Sequence, residues 1–348
     1  MRAVVFEAPF NFLKGAVTSR GTLTKKTHYF IRLTDGNNAV GWGECAPIAG
    51  LTPESDDEVR RELLALARSW QNDDFCITNI SCSAVRFAFE SAIGAIENHS
   101  AGDFFKHDNS FRIKVNGLVW MNSPDVMCSD AMRLIESGFS CVKMKIDGKN
   151  RGNCISVIKQ LRRVFNPADV QIRLDANGSF PLEEAMAILE EIAPFGIESI
   201  EQPVAPGNWT LLSLLCQNSP VPIALDEELI RLDKAEDRTE LLLSVKPASL
   251  VLKPSLHGGF SSCEDWIRRC DAHGINWWCT SYLESNLGLS ALAQWLSRRD
   301  NGASHGLGTG KLYRDNFEIP ATLEAGSFIW NGRFAPSVDT FPGITQIW

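Results

Sequence analysis

The sequence contains ten cysteines, yet none are spaced as a C-x₂-C pair, so neither a zinc ribbon nor a redox dithiol is written in it. Cys141 in SCVKMKI, Cys216 in LLSLLCQ and Cys279 in NWWCTS sit inside apolar stretches. Reduced cysteines packed as small hydrophobes look like this. The six histidines show no ligand or nucleophile spacing, and His273 in CDAHG reads as a helix-end residue. No apolar run reaches membrane-spanning length, and MRAVVFEAPF lacks the apolar core of a secretory leader. The expected compartment is therefore the cytoplasm. GLGTG at 306–310 is rich in glycine without being a phosphate loop. A basic excess is also missing: 34 lysines and arginines stand against 42 acidic residues, a formal charge of −8. Nucleic acid and anionic membrane surfaces are thereby excluded as expected partners. A small anionic substrate is not, because a local cluster of lysines can override the mean field.

What remains is an ordinary globular composition, 44% hydrophobic and 22% charged over 348 residues, enough for one large domain or two smaller ones. Up to about residue 110 the texture is mixed. HYFIRLTD, a turn at Asp35-Gly36-Asn37-Asn38, and AVGWGECAP predict a β-hairpin. From Pro53 to about Asn98 apolar residues recur at helical spacing, as in SAVRFAFESAIGAIEN. This predicts an α+β domain over 1–110.

From Phe111 the chain repeats a unit. Strand candidates RIKVNGLVW, CVKMKI, VQIRLDAN, IESIEQP, PIALDEEL, SLVLKPSL, INWWCTSY and SHGLGTG alternate with helical segments such as PLEEAMAILEEIAPFG. Eight strands in about 200 residues predict a β/α barrel over 111–310. The strand- and turn-like tail, 311–348, is expected to return to the first domain.

Five of these strands end in charge: Lys143 and Lys145, Asp175, Glu201, Asp226 and Lys253. From Lys145 onward the gaps are 30, 26, 25 and 27 residues, each roughly one βα unit. In a barrel, these groups converge on the C-terminal mouth, where barrel enzymes keep their chemistry. Alternation puts Lys143 and Lys145 on one strand face, and Arg173, Asp175 and Asn177 on another. Three carboxylates with no soft ligand suit Mg²⁺, with Mn²⁺ as a substitute. A lysine crowded by a second lysine and a metal suits removal of a proton beside a carboxylate. Taken alone, Lys143 has a second reading as a salt-bridge partner.

These motifs (K-x-K, D-x-N, E-Q-P, D-E and L-K-P, in order) resemble the enolase superfamily, specifically its muconate-lactonizing subgroup. Within it, PIALDEEL, VLKPSLHGG, TSYLESNLGLSALAQW and GLGTGKLY are similar to the o-succinylbenzoate synthases of menaquinone biosynthesis. The resemblance implies a modified TIM barrel, (β/α)₇β, with an N-terminal α+β capping domain completed by the C-terminal tail. It implies Mg²⁺ on Asp175, Glu201 and Asp226, and Lys145 as base, the superfamily pattern of lysine with Mg²⁺. Lys253 would face the opposite side of the substrate, and Lys143 would tune Lys145. Ser281 and the backbone at Gly306 and Gly308 would bound a small carboxylate substrate, with Arg173 and Asn177 as further substrate contacts and Glu284 behind them. Cap loops around Ser19–Lys26 and Ala49–Pro53 would close over it. The implied reaction is dehydration. Alternatives that stay open are an N-acylamino acid racemase, a related epimerase, or a catalytically silent metabolite-binding barrel. Oligomeric state is not legible.

Overall fold

The computed structural model describes residues 1–18, 21–148, 150–299 and 301–348. Strands β1 (Arg2–Thr18), β2 (Gly21–Thr34) and β3 (Val40–Cys45) form an antiparallel meander. The predicted turn joins β2 to β3. Asp35 Oδ1 accepts from the backbone N–H groups of Asn37 and Ala39, at 2.9 and 2.8 Å. Asn38 takes the left-handed conformation that asparagine tolerates, φ 64°. Helices α1 (Asp56–Gln71) and α2 (Ser83–Glu97) cover one face of the sheet, burying Val5, Ile31, Leu33, Leu63, Val85 and Phe89. Ser55 and Glu58 form a capping box that starts α1. The alternation in VGWGEC has a packing reason: a Cβ at Gly41 or Gly43 would lie 1.9 Å from the carbonyl oxygens of Ala92 or Ala88 on α2. Only glycine lets this helix approach so closely.

The run RIKVNGLVW divides into β4 (Ser110–Lys114) and β5 (Gly117–Val119). After β5 comes α3 (Pro124–Glu136), then β6 (Cys141–Lys145), α4 (Arg151–Arg162), β7 (Gln171–Asp175), α5 (Ala185–Ile192), β8 (Ser199–Glu201) and α6 (Trp209–Asn218). The series continues through β9 (Ile223–Leu225), α7 (Ala235–Val245), β10 (Ser249–Leu252), α8 (Gly259–His273), β11 (Asn276–Cys279) and α9 (Asn286–Leu296). Strands β5 to β11 lie side by side in chain order, with parallel pairing. The ring closes through the eighth segment, where His305 and Gly306 form parallel bridges to Val115 and Thr280. This is a (β/α)₇β barrel beneath an N-terminal cap.

The tail divides. Strands β12 (Ala321–Glu324) and β13 (Ser327–Asn331) form a hairpin paired to β4 beside the barrel, while β14 (Thr345–Gln346) joins the edge of β1 in the cap. All ten cysteines are unpaired, and most are buried. Among the described residues, no helix is long and apolar enough to cross a membrane.

Candidate active site

Because side chains alternate along a strand, each inward residue is followed two positions later by another, one layer nearer the mouth. The pairing register aligns these layers across strands. Lys145 lies opposite Asp175, and Asp175 opposite Glu201. Glu201 in turn pairs with Ala224, two residues before Asp226. Lys253 follows β10 directly. Ala224, Val251 and Trp278 pack together, with Arg173 over the Trp278 ring, and two positions further along the chain from each stand Asp226, Lys253, Thr280 and Asp175.

Lys143, Asp175, Glu201, Asp226 and Lys253 are all buried. Burying so many charges is costly unless they are paired. Lys143 Nζ donates to Glu201 and lies 3.0 Å from Asp175 Oδ2. Lys145 Nζ lies 3.3 Å from the same Asp175 oxygen and donates to Asn177 Oδ1. Lys253 Nζ donates to Asp226 Oδ2. Lys143 is thus a salt-bridge partner as well as the neighbour of Lys145.

Burial opposes charge on both Lys143 and Asp175, but their partners prevail. The carboxylates of Asp175, Glu201 and Asp226 hold Lys143 above the ordinary lysine range. The ammonium groups of Lys143, Lys145 and Lys253 hold Asp175 below the usual carboxylate range. Glu201 goes the other way. Burial pushes it up to about 7; Lys143 opposes this, and the neighbouring Asp175 and Asp226 carboxylates add to it. A single ammonium shared between Asp175 and Glu201 leaves Glu201 the less compensated.

The donor set fits a hard divalent cation. Glu201 Oε1 and Asp226 Oδ1 are buried oxygens with no hydrogen-bond partner, and three carboxylates without histidine or thiol match the preferences of Mg²⁺. Among the described residues no three such groups already form a closed ligand cage, since Lys143 and Lys253 reach in between them.

A pocket opens above this layer. Lys143, Lys145, Asp175, Asn177, Glu227 and Lys253 form its polar floor. Leu118 and Trp120 contribute from the barrel, Leu23, Ile48, Ala49 and Leu51 from the cap, and Thr280 to Leu283 with Gly306, Gly308 and Thr309 complete the wall. Ser281 Oγ donates to Glu284 Oε2 (2.7 Å) and accepts from Thr309 Oγ1 (2.8 Å). Glu284 also accepts from Ser255 Oγ and the Tyr282 N–H, so it braces the wall from behind.

Arg173 does not reach the pocket. One layer lower, its guanidinium bonds Glu198 (2.9 Å) and the Ser304 carbonyl (2.6 Å) and lies 3.8 Å from the Trp278 ring centroid. Its position two residues before Asp175 puts it beneath the pocket floor. The cap contributes through Leu23 from the first expected segment and through Ala49 and Leu51 from the second, but residues 21–26 are strand and not loop. Ser19 and Arg20 lie outside the described residues. Sequence reasoning passed over Glu227, although it stands in the D-E motif. Burial and the adjacent Asp226 carboxylate raise its pKa to about 7.

Comparison with known proteins bears on the family and the fold. Residues 127–329 match the family model described as enolase C-terminal domain-like, and residues 2–95 match that of the MenC N-terminal domain. The chain belongs to the enolase superfamily. It is 36% identical to the o-succinylbenzoate synthase of Desulfotalea psychrophila, over 90% of this chain and 95% of that protein. The crystal structure of MenC from Desulfotalea psychrophila LSv54 superposes with a TM-score of 0.84 at 33% identity, covering 94% of this chain and 99% of that one. A dipeptide epimerase from Cytophaga hutchinsonii, complexed with Mg and the dipeptide D-Ala-L-Val, shares the fold with a TM-score of 0.83 at 22% identity, covering 100% and 99%. The same fold thus occurs in a protein named for a different reaction, and discriminating among reactions falls to the pocket.

Proposed function

We propose that the chain is an o-succinylbenzoate synthase, dehydrating 2-succinyl-6-hydroxy-2,4-cyclohexadiene-1-carboxylate to 2-succinylbenzoate by a syn-type elimination through an enediolate. The observation that carries the reading is the placement of Lys145 and Lys253 around one carboxylate layer, at the floor of a pocket with apolar walls. The 36% identity to a synthase over nearly the whole chain supports the choice of reaction.

Asp175, Glu201 and Asp226 would hold Mg²⁺ (or Mn²⁺), which supplies a Lewis acid for the substrate carboxylate. Lys145 Nζ takes the proton α to that carboxylate. The resulting electron pair then expels the ring hydroxyl, which leaves as water with the proton returned by the same ammonium. Lys145 ends neutral and the ring aromatic. Lys253, across the pocket, lends positive charge to the electron-rich intermediate. The leucines and isoleucine of the cap keep water from the reacting carbon.

The same pair of lysines is what an N-acylamino acid racemase needs, which keeps that reading as the rival. Dipeptide epimerization fits less well, because Gly306 and Gly308 offer no carboxylate for a substrate ammonium. Side-by-side kinetics on the cyclohexadiene substrate and on N-succinyl amino acids tests the assignment. A kcat/KM larger by orders of magnitude for dehydration supports it. Efficient racemization with negligible dehydration would replace it.

A further inference from the structure

We propose that Glu227 is a positioning residue for Lys145, acting through the side-chain amide of Asn177. This rests on the reading of Lys145 as the base. Asn177 sits just beyond β7 in the left-handed region, φ 44°, with its N–H on Asp175 Oδ1 at 3.1 Å. Its Nδ2 donates to Glu227 Oε1 at 2.9 Å, and its Oδ1 accepts from Lys145 Nζ. Glu227 Oε1 is the acceptor at this contact, so the end of the amide that faces it is the NH₂. With the NH₂ turned toward Glu227, the amide oxygen must face Lys145. The lysine is then held between two acceptors, Asn177 Oδ1 and Asp175 Oδ2, and its remaining valence points into the pocket that all three groups line.

Glu227 is poorly suited to a purely structural task. Its Oε2 is buried without a hydrogen-bond partner, a cost that packing alone would not select. Its helical turn at Glu227–Leu229 follows Asp226 directly, which places the two adjacent carboxylates differently: Asp226 toward Lys253 and Glu227 toward Asn177.

Glu227→Gln keeps the shape but lets a side-chain NH₂ meet Asn177, so the Asn177 amide can invert and turn its own NH₂ against the lysine. The variant is expected to lower kcat roughly ten- to hundredfold, the scale of a misplaced catalytic group. KM and Mg²⁺ affinity, the latter measured by calorimetry without substrate, should stay within about threefold of wild type, since the contact that changes, Glu227 with the Asn177 side-chain amide, involves none of the three ligand carboxylates. Asn177→Ala should lose a similar factor, and the double variant no more than either. Unchanged kcat, multiplying losses, or a loss that follows Mg²⁺ affinity (Glu227 then being a ligand) would overturn the proposal.

A second readout needs neither metal nor turnover. Site-resolved reductive methylation of the metal-free protein should label Lys145 faster in both single variants and Lys253 at the wild-type rate. Equal Lys145 rates in all proteins would overturn the relay. Should Lys145→Ala retain full turnover, the functional reading falls while the labelling result stands by itself.

Discussion

At the residue scale, Lys145 is the group whose loss should be felt most. Lys145→Ala is expected to cost several orders of magnitude in kcat, because proton removal and its orientation vanish together. Lys253→Ala should be nearly inactive, whereas Lys253→Arg keeps the charge in a bulkier, planar form and should retain part. Single-turnover kinetics on the three variants checks the order. His257 tests a different property. Its Nδ1 accepts from the Lys253 N–H at 3.1 Å, and burial holds its pKa down to about 3. An unfolded histidine titrates near ~6.5. As pH falls below that value, the unfolded chain gains a proton that the folded one refuses. Stability is therefore lost from about pH 6.5 downward, by up to about 1.4 kcal/mol per pH unit. His257→Asn keeps an acceptor and removes the titration, so wild type should lose about 2 kcal/mol more than the variant between pH 7 and 5; parallel losses in chemical denaturation would contradict this. The charged strand ends that meet here were legible from spacing alone, because βα units have a nearly constant length. Arg173 and Glu227 were not. Both sit within two residues of a carboxylate in that layer, and only the stacking of layers and the short helical turn decide which one faces the pocket.

At the element scale, the cap and barrel are joined by buried polar contacts rather than by apolar surface alone. Glu44, at the end of β3, accepts from the Ser285 N–H at 2.7 Å, Ser285 Oγ at 2.5 Å and the Gly288 N–H at 2.7 Å. It thereby caps the N-terminus of α9 from another domain. His28 Nδ1 completes the set at 2.6 Å. Lys26, pushed down to about 8 by burial, bonds the carbonyls of Ala46 and Leu283 at 2.9 and 3.0 Å, tying the pocket wall to the cap. Glu44→Ala should cost about 2–4 kcal/mol, since it strands several buried donors at once. A denaturation midpoint within error of wild type would refute this. The links from cap to barrel were not visible in sequence, because Glu44 and Ser285, like Lys26 and Leu283, are more than 200 residues apart. The hairpin of β2 and β3 was visible, through its turn and alternation. RIKVNGLVW misled in part: its alternation runs through Asn116, yet β4 serves the tail hairpin and β5 the barrel.

At the scale of the whole molecule, the barrel collects charge from successive strands, and the cap supplies the apolar lid that makes those charges useful. The fold was legible because the repeat of strand and helix is long and regular. The division of the tail between two sheets was not, since short polar strands carry little periodicity. Charge balance links the parts: Asp175, Glu201 and Asp226 crowd three lysines, and Glu201 Oε1 and Asp226 Oδ1 are without partners. The most direct measurement follows aromatic product against added Mg²⁺ in chelator-treated protein, for wild type and Glu201→Gln. Wild type should be inactive without metal and recover full turnover with Mg²⁺ or Mn²⁺. Glu201→Gln should need far more metal and remain slow. Full activity in metal-free wild type, or a Glu201→Gln variant indistinguishable from it, would contradict the account.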